Sequence, residues 1–69
     1  MNEPDAEQIY FKEEAWNAIR LAFKAKQQGR RAKAQELLQE ARYYSAKIKP
    51  KFIDAELEQN IDMATRTFF

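Results

Sequence analysis

The side chains that could carry chemistry in this sequence are carboxylates, because its 69 residues include neither histidine nor cysteine. Without them the chain lacks the usual neutral-pH acid and base, thiol chemistry and the commonest metal ligands. Paired carboxylates can act as general acid and base, and several acids together can hold a hard cation. The candidates are the pairs Glu36 with Glu40 and Glu13 with Glu14, and the group Glu56, Glu58 and Asp62.

The spacing of these acids argues against catalysis. Glu36 and Glu40 are four residues apart on a predicted helix, where neighbouring lysines and arginines make them ordinary surface charges. A di-carboxylate site of the kind found in helical bundles also needs histidines at Glu-x-x-His spacing, and the sequence contains none. We therefore predict that the chain is not an enzyme and has no metal site and no cofactor.

A cluster of cations surrounds the only glycine, Gly29. We call this cluster the basic tip, and it consists of Lys24, Lys26, Arg30, Arg31 and Lys33. Such a cluster can contact the phosphates of a nucleic acid, the acidic groups of a protein partner, or solvent alone. The sequence pI of about 8.0 is low for a dedicated nucleic-acid-binding domain. All three interpretations stay open from the sequence.

The net charge of +1 conceals a segregation of charge along the chain. Residues 1–19 carry five acids and one lysine, a net charge of −4, and residues 52–69 carry four acids and one arginine, a net charge of −3. Residues 20–51 carry ten lysines and arginines against two glutamates, a net charge of +8. The ends are therefore acidic and the middle basic, so complementary charge is also a route to self-association.

Apolar spacing predicts three helices, at about residues 4–28, 31–48 and 53–67. Gly29 should end the first helix, Pro50 should stop the second and Asp54 should cap the third. The expected start of the first helix is Asn2 or Glu3 as the cap, followed by Pro4. The sequence contains no long run of alternating apolar and polar residues, so we predict no sheet. We therefore predict one all-α domain over residues 1–69, a three-helix bundle built on an antiparallel helical hairpin.

The first helix is apolar around about two thirds of its circumference, so two neighbours must cover it. Its bulky ridge is Ile9, Trp16, Ile19 and Phe23, and its small-residue strip is Phe11, Ala15, Ala18, Ala22 and Ala25. The stripe of the second helix is Ala34, Leu37, Leu38, Ala41, Ser45 and Ile48, and that of the third is Ile53, Leu57, Asn60, Ile61, Ala64 and Phe68. The apolar stripe of the third helix can be buried either by its own hairpin or by a neighbouring copy of the chain.

Three residues are candidate partner contacts. Tyr10 and Leu21 extend the apolar arc of the first helix, and Tyr43 lies opposite Ala34 on the second. Tyrosine is enriched at interface hot spots. We therefore predict partner binding by Tyr10, Leu21 and Tyr43, and place Tyr44 at the edge of the core.

Small and apolar residues at helical spacing on both sides of the glycine resemble the helical hairpin of a tetratricopeptide repeat. The matching residues are Ala18, Leu21, Ala22, Ala25, Gly29, Ala34, Leu38 and Ala41. Ala18 and Ala25 replace large aromatic positions of that family, and no second copy of the pattern follows. With a third helix, the layout is similar to a microtubule-interacting and transport domain. Both resemblances imply a module that binds a segment of another protein in a groove between helices.

We therefore expect a non-enzymatic protein–protein interaction module or a small regulator that binds a segment of a larger protein. The segment would lie in a groove between the second and third helices or along the Tyr10 and Leu21 edge, oriented by the charge of the basic tip. The alternative is a nucleic-acid-binding or assembly-regulating helical homodimer that uses the basic tip. We expect a cytoplasmic protein with no membrane partner, because its apolar runs are far shorter than the roughly 20 residues of a membrane span.

Overall fold

The computed structural model describes residues 6–68 and confirms an all-α arrangement of three helices. These are α1 (Ala6–Gln27), α2 (Arg31–Ala46) and α3 (Ala55–Phe68), with a short 3₁₀ helix at Pro50–Phe52 before α3. The expected cap at Asn2 or Glu3 and the expected Pro4 lie outside the described residues. None of the helices within residues 6–68 is both long enough and apolar enough to cross a membrane.

Gly29 ends α1 as predicted, through its backbone conformation. Its φ is +79°, a value that glycine adopts without strain. The Gly29 N–H donates to the Lys26 carbonyl at 3.0 Å, and the Arg30 N–H donates to the Ala25 carbonyl at 2.9 Å. This pair of bonds is a Schellman motif, which satisfies the last carbonyls of α1 and reverses the chain into α2.

The second helix ends at Ala46, two residues before the predicted position. The Lys47 and Ile48 N–H groups bond to carbonyls three residues earlier, which tightens the last turn. Lys49 is extended (φ −66°, ψ 146°), as expected for a residue that precedes proline. The apolar stripe therefore continues to the buried Ile48, beyond the end of the regular α-helix.

Alanine lines the contact between α1 and α2. Ala15, Ala22 and Ala41 are fully buried, and Ala34 is 1% exposed. Small side chains let the two backbones approach closely, while Leu38 and Ile19 fill the space beside them. The hairpin is therefore the rigid part that positions any surface residues on either side of it.

Helix α3 packs on its own hairpin, which settles the choice between that hairpin and a neighbouring copy. Its buried residues are Leu57, Ile61, Ala64 and Phe68. The Phe68 ring meets the Phe23 ring edge-on at a centroid distance of 5.4 Å, and Trp16 donates to Asp54 at 3.2 Å. Helix α3 thus covers one side of the hairpin and leaves the other side uncovered.

Two expected core residues are exposed. Ile53 is 49% exposed because it precedes α3 in an extended conformation (φ −61°, ψ 134°) and so does not share the helix's stripe. Ile9 is 48% exposed because α3 begins beside Lys12 and Trp16, further along α1. The start of α1 meets the linker before α3 instead, where the Lys49 N–H donates to Gln8 at 2.8 Å. The prediction that both lie in the core is wrong.

Candidate functional site

The candidate site is the side of the α1–α2 hairpin that α3 leaves uncovered, which we call the open face. Helix α3 contacts the opposite side through Trp16, Phe23 and Ser45. Helical steps of three and four residues place one row from each helix on the open face. These rows are Tyr10, Glu14, Asn17, Leu21 and Lys24 on α1, and Tyr44, Glu40, Leu37 and Lys33 on α2.

Four aromatic rings form one end of the open face, which we call the aromatic end: Tyr10, Phe11, Tyr43 and Tyr44. Tyr44 links the others, with ring-centroid distances of 6.1 Å to Tyr10, 6.4 Å to Phe11 and 5.3 Å to Tyr43. The ammonium group of Lys47 lies 4.7 Å from the Tyr43 ring and 5.7 Å from the Phe11 ring. Tyr10 and Tyr43, predicted separately, therefore belong to one cluster.

The exposure of this cluster matches what an interaction surface needs. Tyr10 is 51% exposed and Tyr43 is 59% exposed, whereas Tyr44 is half-buried, as expected for a residue at the core edge. Edge-to-face contacts hold the rings in place without burying them. The aromatic end is thus a pre-arranged apolar surface, and its hydroxyl groups can hydrogen-bond to a partner.

Two carboxylates lie beside the aromatic end. The interaction of the Tyr44 hydroxyl with the Tyr10 hydroxyl raises the pKa of Tyr44 above 10.0, and the charges of Glu14 and Glu40 raise it further. Both carboxylates therefore act on the same phenol from the two helices. At neutral pH Tyr44 stays protonated and can donate a hydrogen bond.

At the other end of the open face, Leu21 lies beside cations of the basic tip. It is 50% exposed and shares one surface depression with Leu37 and Ala25. The polar rim of this depression consists of Lys24, Gln28, Arg30 and Lys33. An apolar floor with three cations around it fits an apolar side chain flanked by acids.

The remaining two cations of the basic tip, Lys26 and Arg31, do not line this depression. The ammonium group of Lys26 lies 5.5 Å from the centroid of the Phe68 ring, on the side that α3 covers. Arg31 is exposed. Lys33 also forms an ion pair with Glu36 at 3.7 Å. The structure therefore brings Lys24, Arg30 and Lys33 together and leaves Lys26 out.

A second depression lies between α2 and α3, at the groove that the sequence analysis names. Its walls are Arg42, Ser45, Ala46, Ile48, Ile53, Glu58 and Ile61. The Ser45 hydroxyl donates to a Glu58 carboxylate oxygen at 2.8 Å across it. That bond already occupies polar groups of both walls, whereas the open face keeps its exposed rings and cations available.

The candidate carboxylates of the sequence analysis do not converge. Glu36 pairs with Lys33, Asp62 pairs with Arg66, and Glu58 accepts from Ser45. Within residues 6–68, no three acidic side chains are grouped as a metal site would require.

Sequence reasoning does not identify Glu14, Glu40, Leu37 and Lys47 as members of a shared surface. For all but Lys47 a signal is present, because the α1 row reads Tyr, Glu, Asn, Leu, Lys toward the turn, and the α2 row reads Tyr, Glu, Leu, Lys from its far end back to the turn. To recognise these residues as one surface, one must know which side of the hairpin α3 covers. The apolar pattern of α1 or of α2 alone does not determine that side.

Comparisons with protein-family models, with curated proteins and with solved structures found no match to this chain. The similarity of the hairpin to tetratricopeptide repeats and to microtubule-interacting and transport domains therefore stays a prediction from the residues quoted above. The geometry of the open face is what supports a function.

Proposed function

We propose that this chain is a non-enzymatic protein–protein interaction module, a small regulator that binds a segment of a larger protein on its open face. The observation that supports this most strongly is the depression that joins Leu21 and Leu37 to Lys24, Arg30 and Lys33. Leu21 is half exposed and Leu37 is buried beside it, and an exposed apolar anchor beside a ring of one charge is typical of recognition surfaces. The cytoplasmic location stays an expectation from the sequence.

The two ends of the open face define the length of the segment. Tyr10 and Leu21 are eleven residues apart on α1, which is about 16 Å at 1.5 Å per residue. Three turns of a partner helix span that distance, so one apolar side chain can reach the aromatic end while another enters the depression at Leu21. Acidic residues next to the second anchor would pair with Lys24, Arg30 and Lys33.

The open face supports this role better than the groove between α2 and α3. That groove offers Ile53 as an exposed apolar residue, and its Ser45 and Glu58 are bonded to each other. The open face presents Tyr10, Leu21 and Tyr43, each about half exposed or more. More apolar area is therefore removed from water when a segment covers the open face.

A second candidate function is nucleic-acid binding by the basic tip. It is favoured by the exposure of Lys24, Arg30, Arg31 and Lys33 around a single turn. Neutralising several phosphates would make the affinity fall steeply with salt. The carboxylates of Glu14 and Glu40, on the same face, would oppose a duplex that extended beyond the tip.

The experiment is affinity capture of the tagged protein from its host lysate, with and without nuclease, at low and moderate salt. We expect a discrete protein that survives both treatments. Leu21→Glu should abolish its recovery, because a buried carboxylate would replace the apolar anchor. Met63→Glu is the matched control, since Met63 is 56% exposed on α3, and it should retain the partner.

Two further results separate the candidates. Tyr43→Ala should weaken recovery of the protein partner through the aromatic end. Recovery that disappears with nuclease, and with Arg30→Ala and Arg31→Ala but not with Leu21→Glu, would reject the protein-binding role. It would assign the function to phosphate contacts of the basic tip instead.

A further inference from the structure

We propose that, in the absence of another partner, the open face binds the open face of a second copy of this chain, in an antiparallel two-fold dimer. The proposal rests on the proposed function in one respect, that the open face is a protein-binding surface. The order of charges along the open face favours a second copy as its occupant. Three levels follow one another along the hairpin: acidic, apolar and basic.

The acidic level consists of Glu14 and Glu40. They belong to different helices, with Glu14 four residues after Tyr10 on α1 and Glu40 four residues before Tyr44 on α2. Because the Tyr10 and Tyr44 rings meet at 6.1 Å, one helical turn from each places the two carboxylates at the same level of the hairpin. We call these two residues the acidic row.

The basic level consists of Lys24 and Lys33, which we call the basic row. Both line the depression that contains Leu21 and Leu37. The two lysines again come one from each helix, near the turn. The leucines lie on the side of the basic row that faces the acidic row, because Leu21 precedes Lys24 and Leu37 follows Lys33.

The leucines are near the midpoint between the two rows. On α1 the midpoint of Glu14 and Lys24 is residue 19, two residues from Leu21. On α2 the midpoint of Glu40 and Lys33 lies between residues 36 and 37, at Leu37. The rows are about 15 Å apart on α1 and about 10 Å apart on α2, a difference that flexible lysine side chains can span.

This order makes the face self-complementary under one symmetry operation. A two-fold axis that lies in the interface, across the helices and at the level of the leucines, places each acidic row on the partner's basic row. The same axis brings the exposed Leu21 side chains of the two copies near each other, while Leu37 stays buried in the core of its own chain. An axis parallel to the helices would instead place acid on acid and base on base, so the charges favour the antiparallel dimer.

In the same antiparallel dimer, the aromatic end of one copy lies against the turn of the other. Tyr10 lies four residues beyond Glu14, so rotation about the midpoint at residue 19 places it at the level of the partner's Gln28. The Arg30 side chain of the partner lies at that level, beside the turn. A guanidinium group on a tyrosine ring adds a favourable cation–π contact at each end of the dimer.

The first measurement is the mass of the full chain in solution across a concentration series, by sedimentation equilibrium. We expect twice the chain mass of 8.2 kDa as concentration rises into the millimolar range. A mass that stays at one chain at every concentration would overturn the proposal.

The decisive measurement exchanges the charges of the two rows. One variant carries Glu14→Lys and Glu40→Lys, and the other carries Lys24→Glu and Lys33→Glu. Each alone should dimerise about tenfold to a hundredfold more weakly than wild type, because every acid–base contact becomes a contact between like charges. Mixing the two variants should restore dimerisation as a heterodimer, which also shows that both variants fold.

The matched control is Glu13→Lys with Glu56→Lys. It changes the net charge by the same amount as the first variant, at exposed positions that lie outside the open face. It should dimerise like wild type. Equal loss in this control would overturn the proposal, since net charge alone would then explain the effect.

One competing self-association joins the acidic outer side of α3 to the basic tip of another copy. In that case Lys24→Glu with Lys33→Glu would disrupt association, Glu14→Lys with Glu40→Lys would not, and the proposal would be overturned. The proposed function is tested separately by the Leu21→Glu capture experiment. If wild type stays monomeric and still captures a protein through Leu21, the dimer proposal is overturned and the proposed function stands. If wild type dimerises and captures no protein, the proposed function is overturned and the dimer proposal stands.

Discussion

At the scale of single residues, Asp54 connects the start of α3 to α1. One carboxylate oxygen accepts hydrogen bonds from the N–H groups of Glu56, at 3.0 Å, and Leu57, at 3.4 Å, which caps the helix as predicted. The other oxygen accepts from the indole of Trp16 at 3.2 Å and lies 3.4 Å from the Lys12 ammonium group. A helix cap and a tertiary contact therefore depend on the same side chain.

Replacing Asp54 should destabilise the fold. We expect Asp54→Ala to lower the free energy of unfolding by roughly 1–2 kcal/mol, because it removes the cap and leaves the half-buried indole N–H of Trp16 without its acceptor. Urea denaturation followed by circular dichroism measures the change. Asp62→Ala is the control, since Asp62 forms only an exposed pair with Arg66, and it should cost about 0.5 kcal/mol or less.

The same carboxylate should make stability depend on acid pH. Burial by itself raises the pKa of Asp54, but the hydrogen bonds from Trp16, Leu57, Lys12 and Glu56 outweigh it and lower the pKa below 3.8. The unfolded chain therefore takes up the proton more readily than the folded one. The stabilisation is present above pH 3.8 and is lost as the pH falls through the lower folded value.

Thermal unfolding between about pH 5 and pH 2 tests this dependence. The melting temperature of wild type should fall through that range, and Asp54→Asn should flatten part of the fall, because asparagine does not titrate. If Asp54→Asn and wild type lose stability in parallel, another carboxylate carries the acid sensitivity.

At the scale of elements, the hairpin depends on the backbone of one residue. Gly29 has a φ of +79°, and a Cβ added there would meet nothing within 4 Å. The cost of a side chain at this position is therefore conformational and not steric. The turn determines the relative level of α1 and α2, and with it the distances along the open face.

We expect Gly29→Ala to lower the free energy of unfolding by roughly 1 kcal/mol, because alanine disfavours the left-handed conformation. Gln28→Ala is the neighbouring control; it should change stability little, since Gln28 is exposed and precedes the left-handed position. Chemical denaturation of both variants gives the comparison. If Gly29→Ala leaves the free energy of unfolding unchanged, the turn can adopt another conformation.

At the scale of the whole molecule, α3 completes a core that two helices cannot close. It covers Trp16 and Phe23, and its own Leu57 and Phe68 are at most 3% exposed. A chain of 69 residues buries a smaller fraction of its surface than larger domains do. Loss of one helix therefore removes a large part of the total stabilisation.

We expect a chain that ends at Lys49 to lose cooperative unfolding, with the fluorescence of Trp16 shifted to longer wavelength by exposure to water. Full-length Met63→Glu is the control, because it alters the outer side of α3 and leaves its buried stripe intact. Urea titration followed by tryptophan fluorescence distinguishes the two. A truncated chain with a sharp transition would show that the hairpin is stable by itself.

Local pattern was enough to predict the three helices, the turn at Gly29 and the cap at Asp54. Helix periodicity, positive φ and capping are properties of short segments, so residues close in the chain determine them. The alanine contact between α1 and α2 was predictable for the same reason, since one turn joins its two halves. Ile9 and Ile53 were placed wrongly because their burial depends on where α3 begins and which part of α1 it reaches.

The sequence by itself therefore determined the all-α class, the hairpin and the identity of the exposed residues Tyr10, Leu21 and Tyr43. Only the tertiary structure decided that α3 covers one side of its own hairpin, which makes the other side the open face. It also decided that Leu21 lies beside cations of the basic tip and that Tyr44 links Tyr10 to Tyr43. These are contacts between residues distant in sequence, and they depend on the packing of whole helices, which the periodicity of any one helix does not specify.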